Sequence, residues 1–410
     1  MRHSETVEVR GHIVDSLILA KVLDLIVDAD ATYTVVDLDL GTSHVDPSAA
    51  RIAITATDDK ALDALLAELH PHGAHPMEVV DAVVAPAEAG GVLPDGFYAT
   101  TNLPTEVRVG GRWVEVARPE MDCALVLASA DGVDHAQAVP MHRVHSGDRV
   151  VVGRAGVRVR PLERPRGRSP FEFMTSEVSA EKPKALLVAQ VAERIRAAKA
   201  GGGRLLAVPG PAVVHTGAGP HLAALVRDGW VDVVFSGNGF AVHDIESSLL
   251  GTSLGVSVRE GTAAEGSHAN HLRVINDVRR WGSIRAGVED GRLQAGVMYE
   301  CVRRGIPFVL GGSVRDDGPL PDVITDVVAA QDAMRRHLDG VAVALVLAST
   351  LHAVAVGNLL AAQVEVYCID IHQAVVTKLA DRGSQQALGI VTDVGPFLSE
   401  LAGQLAQVTG

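Results

Sequence analysis

Ile306-Pro307-Phe308-Val309-Leu310-Gly311-Gly312-Ser313-Val314-Arg315-Asp316-Asp317-Gly318-Pro319-Leu320-Pro321-Asp322 passes in one step from an apolar run to two glycines, an arginine and two adjacent acids. The run has the length and composition of a fully buried strand. Ligands of open parallel sheets sit outside the carboxyl ends of the strands, so a buried strand that empties into charged, Gly-rich chain is the usual build of an α/β ligand site. A solvated turn would also use Gly and Pro. The gathering of charge where the core stops favours chemistry.

Working outward, strand, Gly-rich loop and helix alternate from about residue 171 to the end. Strands are expected at Arg204–Val208, Val231–Phe235, Pro307–Leu310, Val341–Leu347 and Val364–Ile369, with Ile390-Val391-Thr392-Asp393 ending the last. This alternation predicts a doubly wound, Rossmann-like parallel sheet with right-handed crossovers. Residues 1–93 read as strand, amphipathic helix (Leu19, Val22, Leu23, Ile26), two strands and a helix opened by Asp58 or Asp59, a small ferredoxin-like α+β domain. Residues 94–168 carry short strands and a Gly110-Gly111 hairpin turn, a compact antiparallel β module. Arg164-Pro165-Arg166-Gly167-Arg168-Ser169-Pro170 reads as a linker into residues 169–410.

Composition narrows the function classes. The chain has 410 residues, 47% hydrophobic but only 3% aromatic, so its core is built from Ala, Val, Leu and Ile, as parallel strands under Ala-rich helices require. A net charge of −14 argues against nucleic acid or an anionic membrane surface as partner. Cys123, Cys301 and Cys368 stand far apart, which suggests neither disulfides nor a zinc site and suits a cytoplasmic protein. The N-terminus lacks an apolar signal core, and the apolar window Val341–Ala362 is broken by Ser349, Thr350, His352, Gly357 and Asn358. His70, His72, His75, the pair His142 and His145, and the pair His268 and His271 lack ligand companions at a recognisable spacing. No metal is expected, and these histidines are read as solvated.

Phosphate handling is expected at two Gly-rich stretches. His215-Thr216-Gly217-Ala218-Gly219 lies between a strand and a helix, where backbone N–H groups and the helix dipole attract anions. The dinucleotide fingerprint would place a small residue at 222, where Leu222 stands. Gly237-Asn238-Gly239 follows another strand, and tight turns alone would also explain both stretches. Asp370 ends a strand, where an acid commonly accepts from adenosine ribose hydroxyls; an N-cap is the equal alternative. Ser313 and Asp393, at two further strand ends, complete the candidate cofactor set.

Longer motifs point to a family. Gly11–Ser16 and Asp46–Ile52 resemble the N-terminal conserved domain of lysine-ketoglutarate reductase/saccharopine dehydrogenase-related (LOR/SDH) proteins. The remainder resembles the archaeal-type ornithine cyclodeaminases and the C-terminal half of bifunctional arginine dihydrolase/ornithine cyclodeaminases. The matching stretches include Phe97–Asn102, Pro119–Cys123, Gly210–Ala218, Gly237–Glu246, Tyr299–Cys301, Gly312–Asp322, Leu351–Asn358 and Thr377–Ser384. No dihydrolase motifs accompany them, so no guanidine hydrolysis is implied.

The resemblance implies a redox-neutral reaction on bound NAD. A hydride leaves Cα of L-ornithine, the resulting C2 imine is attacked by the δ-amine, ammonia departs, and the cyclic imine takes the hydride back as L-proline. Such a site needs a carboxylate clamp, acids for the ammonium groups and an acid/base of moderated pKa. Arg315 has the planar fork for the clamp. Asp316 and Asp317 are adjacent, so one pKa would be pushed upward, although loop capping is an ordinary use of both. His243 and Asp244 are candidates for base and orienter, against the alternative of a core histidine satisfied by backbone. Asn102 and Asp122 enter as substrate contacts on the resemblance alone; by residue type they are turn formers. His352, in an apolar stretch, is read as structural. Two other readings stay open: another NAD-dependent amino-acid cyclodeaminase or dehydrogenase, for example on lysine, and a non-catalytic amino-acid and nucleotide-binding regulator. A homodimer or homotetramer is the expected assembly.

Overall fold

Alternation of Val7 and Val9, and of Ala50, Ile52 and Ile54, puts one face of two neighbouring strands into a core, and the first layer of the protein grows from that face. The computed structural model describes residues 3–14, 16–42, 46–130, 133–161, 184–253, 256–257, 269–314, 316, 318–374 and 387–406. The chain divides into two units, Met1–Phe173 with Leu360–Gln363, and Met174–Leu359 with Val364–Gly410.

The first unit opens with β1 (Ser4–Gly11), α1 (Ile18–Asp28), β2 (Thr32–Asp39), β3 (Ser48–Thr55), α2 (Asp59–Leu69) and β4 (His75–Pro76). Their antiparallel sheet has the order β2-β3-β1-β4, the ferredoxin-like arrangement. Val22 and Ile26 of α1 and Leu65 and Leu69 of α2 share one apolar cluster with the strands. Asp58 caps α2 by accepting from Ala61 N at 2.8 Å.

A seven-stranded sheet follows: β5 (Val83–Pro86), β6 (Thr105–Val109), β7 (Arg112–Ala117), β8 (Ala124–Ala130), β9 (Val133–Val139), β10 (Arg149–Val152) and β11 (Val157–Val159), in the order β11-β6-β7-β9-β8-β10-β5. Gly110 (φ 56°) and Gly111 (φ 75°) form the β6–β7 turn with both central residues left-handed, which glycine adopts freely. One expectation is corrected: β7 and β9 pair parallel, so the module is not wholly antiparallel. Val83–Pro86, expected before the break at 93/94, pairs with β10 inside this sheet.

The histidines near the end of α2 also differ from expectation. His70 is only 5% exposed and its Nε2 lies 3.1 Å from the Tyr98 hydroxyl, with the His75 ring edge-on at 5.0 Å. Burial lowers its pKa to about 3, aided by His75 and Arg154. His142 and His145 are exposed as expected, and His268 lies outside the described residues.

The second unit carries α3 (Lys184–Ala200), β12 (Arg204–Pro209), α4 (Ala212–His215), α5 (Gly219–Arg227), β13 (Val233–Gly237), α6 (Asn238–Leu250), β14 (Thr252–Ser253), β15 (Val256–Ser257), α7 (Asn270–Trp281), α8 (Ile284–Glu289) and α9 (Val297–Arg304). It continues through β16 (Phe308–Gly311), β17 (Val323–Ile324), α10 (Val327–Arg335), β18 (Val341–Leu347), α11 (Leu351–Leu359), β19 (Glu365–Asp370), β20 (Ala387–Val391) and a last helix, Val394–Ala406. Seven strands form one sheet, β17-β16-β13-β12-β18-β19-β20, with every pairing parallel. The chain builds outward from β12 in one direction, then returns to β18 on the other side. The strand order therefore reverses between β12 and β18, where doubly wound sheets open their ligand crevice. The central strands β13 and β18 are buried along almost their whole length and are apolar apart from Ser236, as coverage of both faces demands.

Two Gly-rich stretches are less loop-like than expected. The first contains the one-turn helix α4, and the second is a direct junction: β13 runs through Gly237 and α6 begins at Asn238. The linker Arg164–Pro170 lies outside the described residues. Among the described residues no helix is long and apolar enough to cross a membrane.

Candidate active site

Parallel pairing aligns the carboxyl ends of β13 and β16, with Gly237 opposite Gly311. A Cβ on Gly237 would come within 2.6 Å of His352 Cε1, and one on Gly311 would lie 3.6 Å from His352 Nε2. Both strand ends therefore stay bare where the imidazole passes over them. His352 belongs to the second residue of α11, which follows β18 across the switch point. Burial lowers its pKa, and Asp316 pulls it back up. No described residue hydrogen-bonds to this ring. His352, which its apolar sequence neighbours mark as structural, lies at the strand ends that carry the charged motif.

Asp316 lies in that motif. Its Oδ2 accepts from Ser313 N at 2.9 Å, and its own N–H reaches Ser313 O at 3.2 Å, so the acid closes a tight turn just past β16. Arg315 and Asp317 lie outside the described residues. Asn238 holds the far side of the loop: its Nδ2 donates to Gly318 O at 3.3 Å and its Oδ1 accepts from Leu320 N at 3.0 Å. Its side chain thus braces the loop through both ends of its amide.

A second polar group forms on α6. His243 is 8% exposed, and its Nδ1 lies 3.0 Å from Oε2 of Glu246, which is fully buried. Glu246 Oε1 accepts from Thr252 Oγ1 at 2.8 Å, Thr252 Oγ1 accepts from Asn270 Nδ2 at 3.0 Å, and Asn270 Oδ1 accepts from Arg273 Nη1 at 2.9 Å. The His215 ring faces His243 edge-on at 4.8 Å between centroids, with its Nδ1 2.6 Å from Ser253 Oγ. Burial lowers the His215 pKa, His243 adds to this, and Glu246 opposes it. Glu246, Thr252 and Asn270 were missed in the sequence. The signal was the helical spacing of three between His243 and Glu246, which places both on one face.

Asp244 does not orient His243. It is wholly buried and turned the other way, accepting from Val297 N at 2.9 Å and Met298 N at 2.8 Å at the start of α9. Burial raises its pKa to about 6 against the pull of those two N–H groups.

The other cofactor candidates sit along the same sheet edge. Gly217 takes φ +77° in the turn between α4 and α5, followed by buried Ala218 and Gly219. Thr216 Oγ1 reaches Val213 O at 3.4 Å. Gly239 occupies the first turn of α6, where its missing Cβ clears Pro211 by 3.5 Å. Asp370, 6% exposed at the end of β19, accepts from His372 N through Oδ1 at 2.8 Å. Asp393, past β20, accepts from Gly395 N at 2.8 Å at the start of the last helix. Asn102 and Asp122 belong to the other unit. Asn102 is 5% exposed and its carbonyl accepts from Ala362 N; Asp122 is exposed with φ +60°, a left-handed turn residue.

Comparison with known proteins adds to this geometry. Residues 189–401 match the model described as arginine dihydrolase ArgZ-like, C-terminal, Rossmann fold. Residues 4–103 match the LOR/SDH bifunctional enzyme conserved region, and residues 104–188 the first region of the ArgZ-like C-terminal part. The chain is 49% identical to an ornithine cyclodeaminase of Methanopyrus kandleri, over 98% of each chain. It is 43% identical to the bifunctional arginine dihydrolase/ornithine cyclodeaminase AgrE of Nostoc sp., covering 99% of this chain and 58% of AgrE. Among solved structures, apo ArgZ, an arginine dihydrolase from the cyanobacterial ornithine-ammonia cycle, superposes with TM-score 0.86 at 39% identity, over 100% of this chain and 60% of ArgZ. The ternary complex of AgrE with ornithine and NAD+ gives TM-score 0.54 at 41% identity, over 100% of this chain and 59% of that one.

Proposed function

This chain belongs to the archaeal-type ornithine cyclodeaminase family, and on that premise we propose that it converts L-ornithine to L-proline and ammonia with NAD bound along the carboxyl edge of its parallel sheet. The observation that carries the reading is a match running from end to end with archaeal ornithine cyclodeaminases, at 49% identity for the Methanopyrus kandleri enzyme.

The residues present fit the cofactor. The switch point between β12 and β18 opens the crevice. The β18–α11–β19 unit ends in the buried acid Asp370, about 20 residues beyond its first strand, where ribose hydroxyls are held. Gly219 at the start of α5 and Gly239 in the first turn of α6 offer backbone N–H groups for phosphate oxygens, Gly237 keeps the end of β13 free of a Cβ, and Gly217 and Ala218 shape the turn before α5 by donating to Val214 O and Val213 O. Thr216, Ser313 and Asp393 flank these positions, and Asn238 takes part through its backbone. The chemistry that bound NAD supplies is removal of a hydride from C2 of the substrate and its return.

The chain's own residues then handle protons and water. Both amines of ornithine enter protonated, and each must lose a proton, the α-amine before C2 is oxidised and the δ-amine before it attacks C2. His243, set by Glu246, accepts one of these protons, and His215 shares its surroundings. Asp316 with His352 serves the second amine, since a carboxylate beside an imidazole both attracts an ammonium and accepts from it. The departing ammonia leaves with a proton returned from the same groups. By residue type, Arg315 is assigned to the substrate carboxylate and Asp317 to the second ammonium. We further propose a cytoplasmic homodimer or homotetramer.

The test is incubation of purified protein with L-ornithine and NAD. Proline and ammonia in equal amounts with no net NADH are expected. Steady NADH accumulation indicates a dehydrogenase, and turnover of lysine alone indicates a different cyclodeaminase.

A further inference from the structure

Glu246 has no exposed surface, lies one helical turn from His243, and its contacts with His243 and Thr252 fix the direction of the protons between them. Arg273 donates to Asn270 Oδ1, which commits the Asn270 amide to donating through Nδ2. Thr252 Oγ1 accepts from that amide, so its hydroxyl proton goes to Glu246 Oε1. One carboxylate oxygen is thereby held as an acceptor, and the other lies 3.0 Å from His243 Nδ1. We infer that Glu246 is a positioning residue of this site: it holds His243 as the Nδ1–H tautomer and leaves Nε2 as the atom that takes the proton. The inference rests on the reading of His243 as the proton acceptor.

Among the described residues, the groups facing this pair come from three directions. His215 lies against the His243 ring from α4, Thr252 and Ser253 come from β14, and Asn270 and Arg273 come from α7. Asp244, next in sequence, spends both oxygens on α9, so Glu246 is the carboxylate that meets the His243 ring. An imidazole held in one tautomer by a buried acceptor is the general device for keeping the other nitrogen basic and aimed.

The experiment uses the NAD-loaded holoenzyme. The ring 15N signals of His243 are identified as those absent from His243→Gln, and are read in wild type, Glu246→Gln and Glu246→Asp. Wild type is expected to show a protonated Nδ1 and a bare Nε2 at neutral pH, and Glu246→Gln a mixed or inverted pattern. The kcat of Glu246→Gln is expected to fall ~100-fold or more, as when a triad loses its orienting acid, with KM for ornithine little changed. Glu246→Asp is expected to recover part of the wild-type ring signals and part of kcat. Unchanged ring signals in Glu246→Gln overturn the inference. Full turnover by His243→Gln overturns the role of His243 as proton acceptor, and with it the positioning role, while the ring signals still report whether Glu246 sets the tautomer.

Discussion

Asp244 shows how a residue in a chemical motif can be spent on architecture. Its two oxygens cap the start of α9, and burial holds its pKa at about 6 instead of 3.8. A folded pKa above the unfolded one means its contribution to stability is largest below 3.8 and is lost as pH rises through about 6. Asp244→Asn lacks this titration, so the wild-type urea midpoint is expected to fall relative to the variant's between pH 4 and pH 7; parallel midpoints would refute the assignment. The sequence could not reveal this, because an acid beside a histidine looks the same whether it faces the ring or another helix. The reverse holds for His352, whose apolar neighbours in sequence suggested the core. Only the pairing of Gly237 with Gly311 shows that two strand ends leave room for its ring.

Elements were more legible than side chains. The apolar runs at Arg204–Pro209, Val341–Leu347 and Glu365–Asp370 announce buried strands because both faces of a parallel sheet are covered. Glycine clusters were read as loops, yet α6 starts directly at Asn238, since glycine serves close approach as readily as turning. Gly210 is the clearest case. It follows β12, donates to Leu347 O at 2.8 Å, and a Cβ there would collide with the Ala348 carbonyl across the switch point. Gly210→Ala must push the β12 and β18 ends apart, and a loss of about 1–3 kcal/mol in unfolding free energy is expected. An unchanged denaturant midpoint would mean the two ends are not held as described.

At the scale of the whole molecule, alternation of strand and helix gave away a doubly wound sheet, whereas the order of its strands is a long-range property. Nothing local marks the chain's return from β17 to β18, yet that return creates the crevice. The β7–β9 parallel pair in the other unit was hidden for the same reason, since pairing direction depends on where strands meet. The central claim is that one bound NAD removes the C2 hydrogen of ornithine and returns it to the same carbon, with the sheet edge shielding the exchange. It is tested most directly with L-ornithine deuterated at C2, turned over in ordinary water, and mass analysis of the proline formed. The account predicts proline that keeps its deuterium at C2; proline carrying solvent hydrogen there would contradict it.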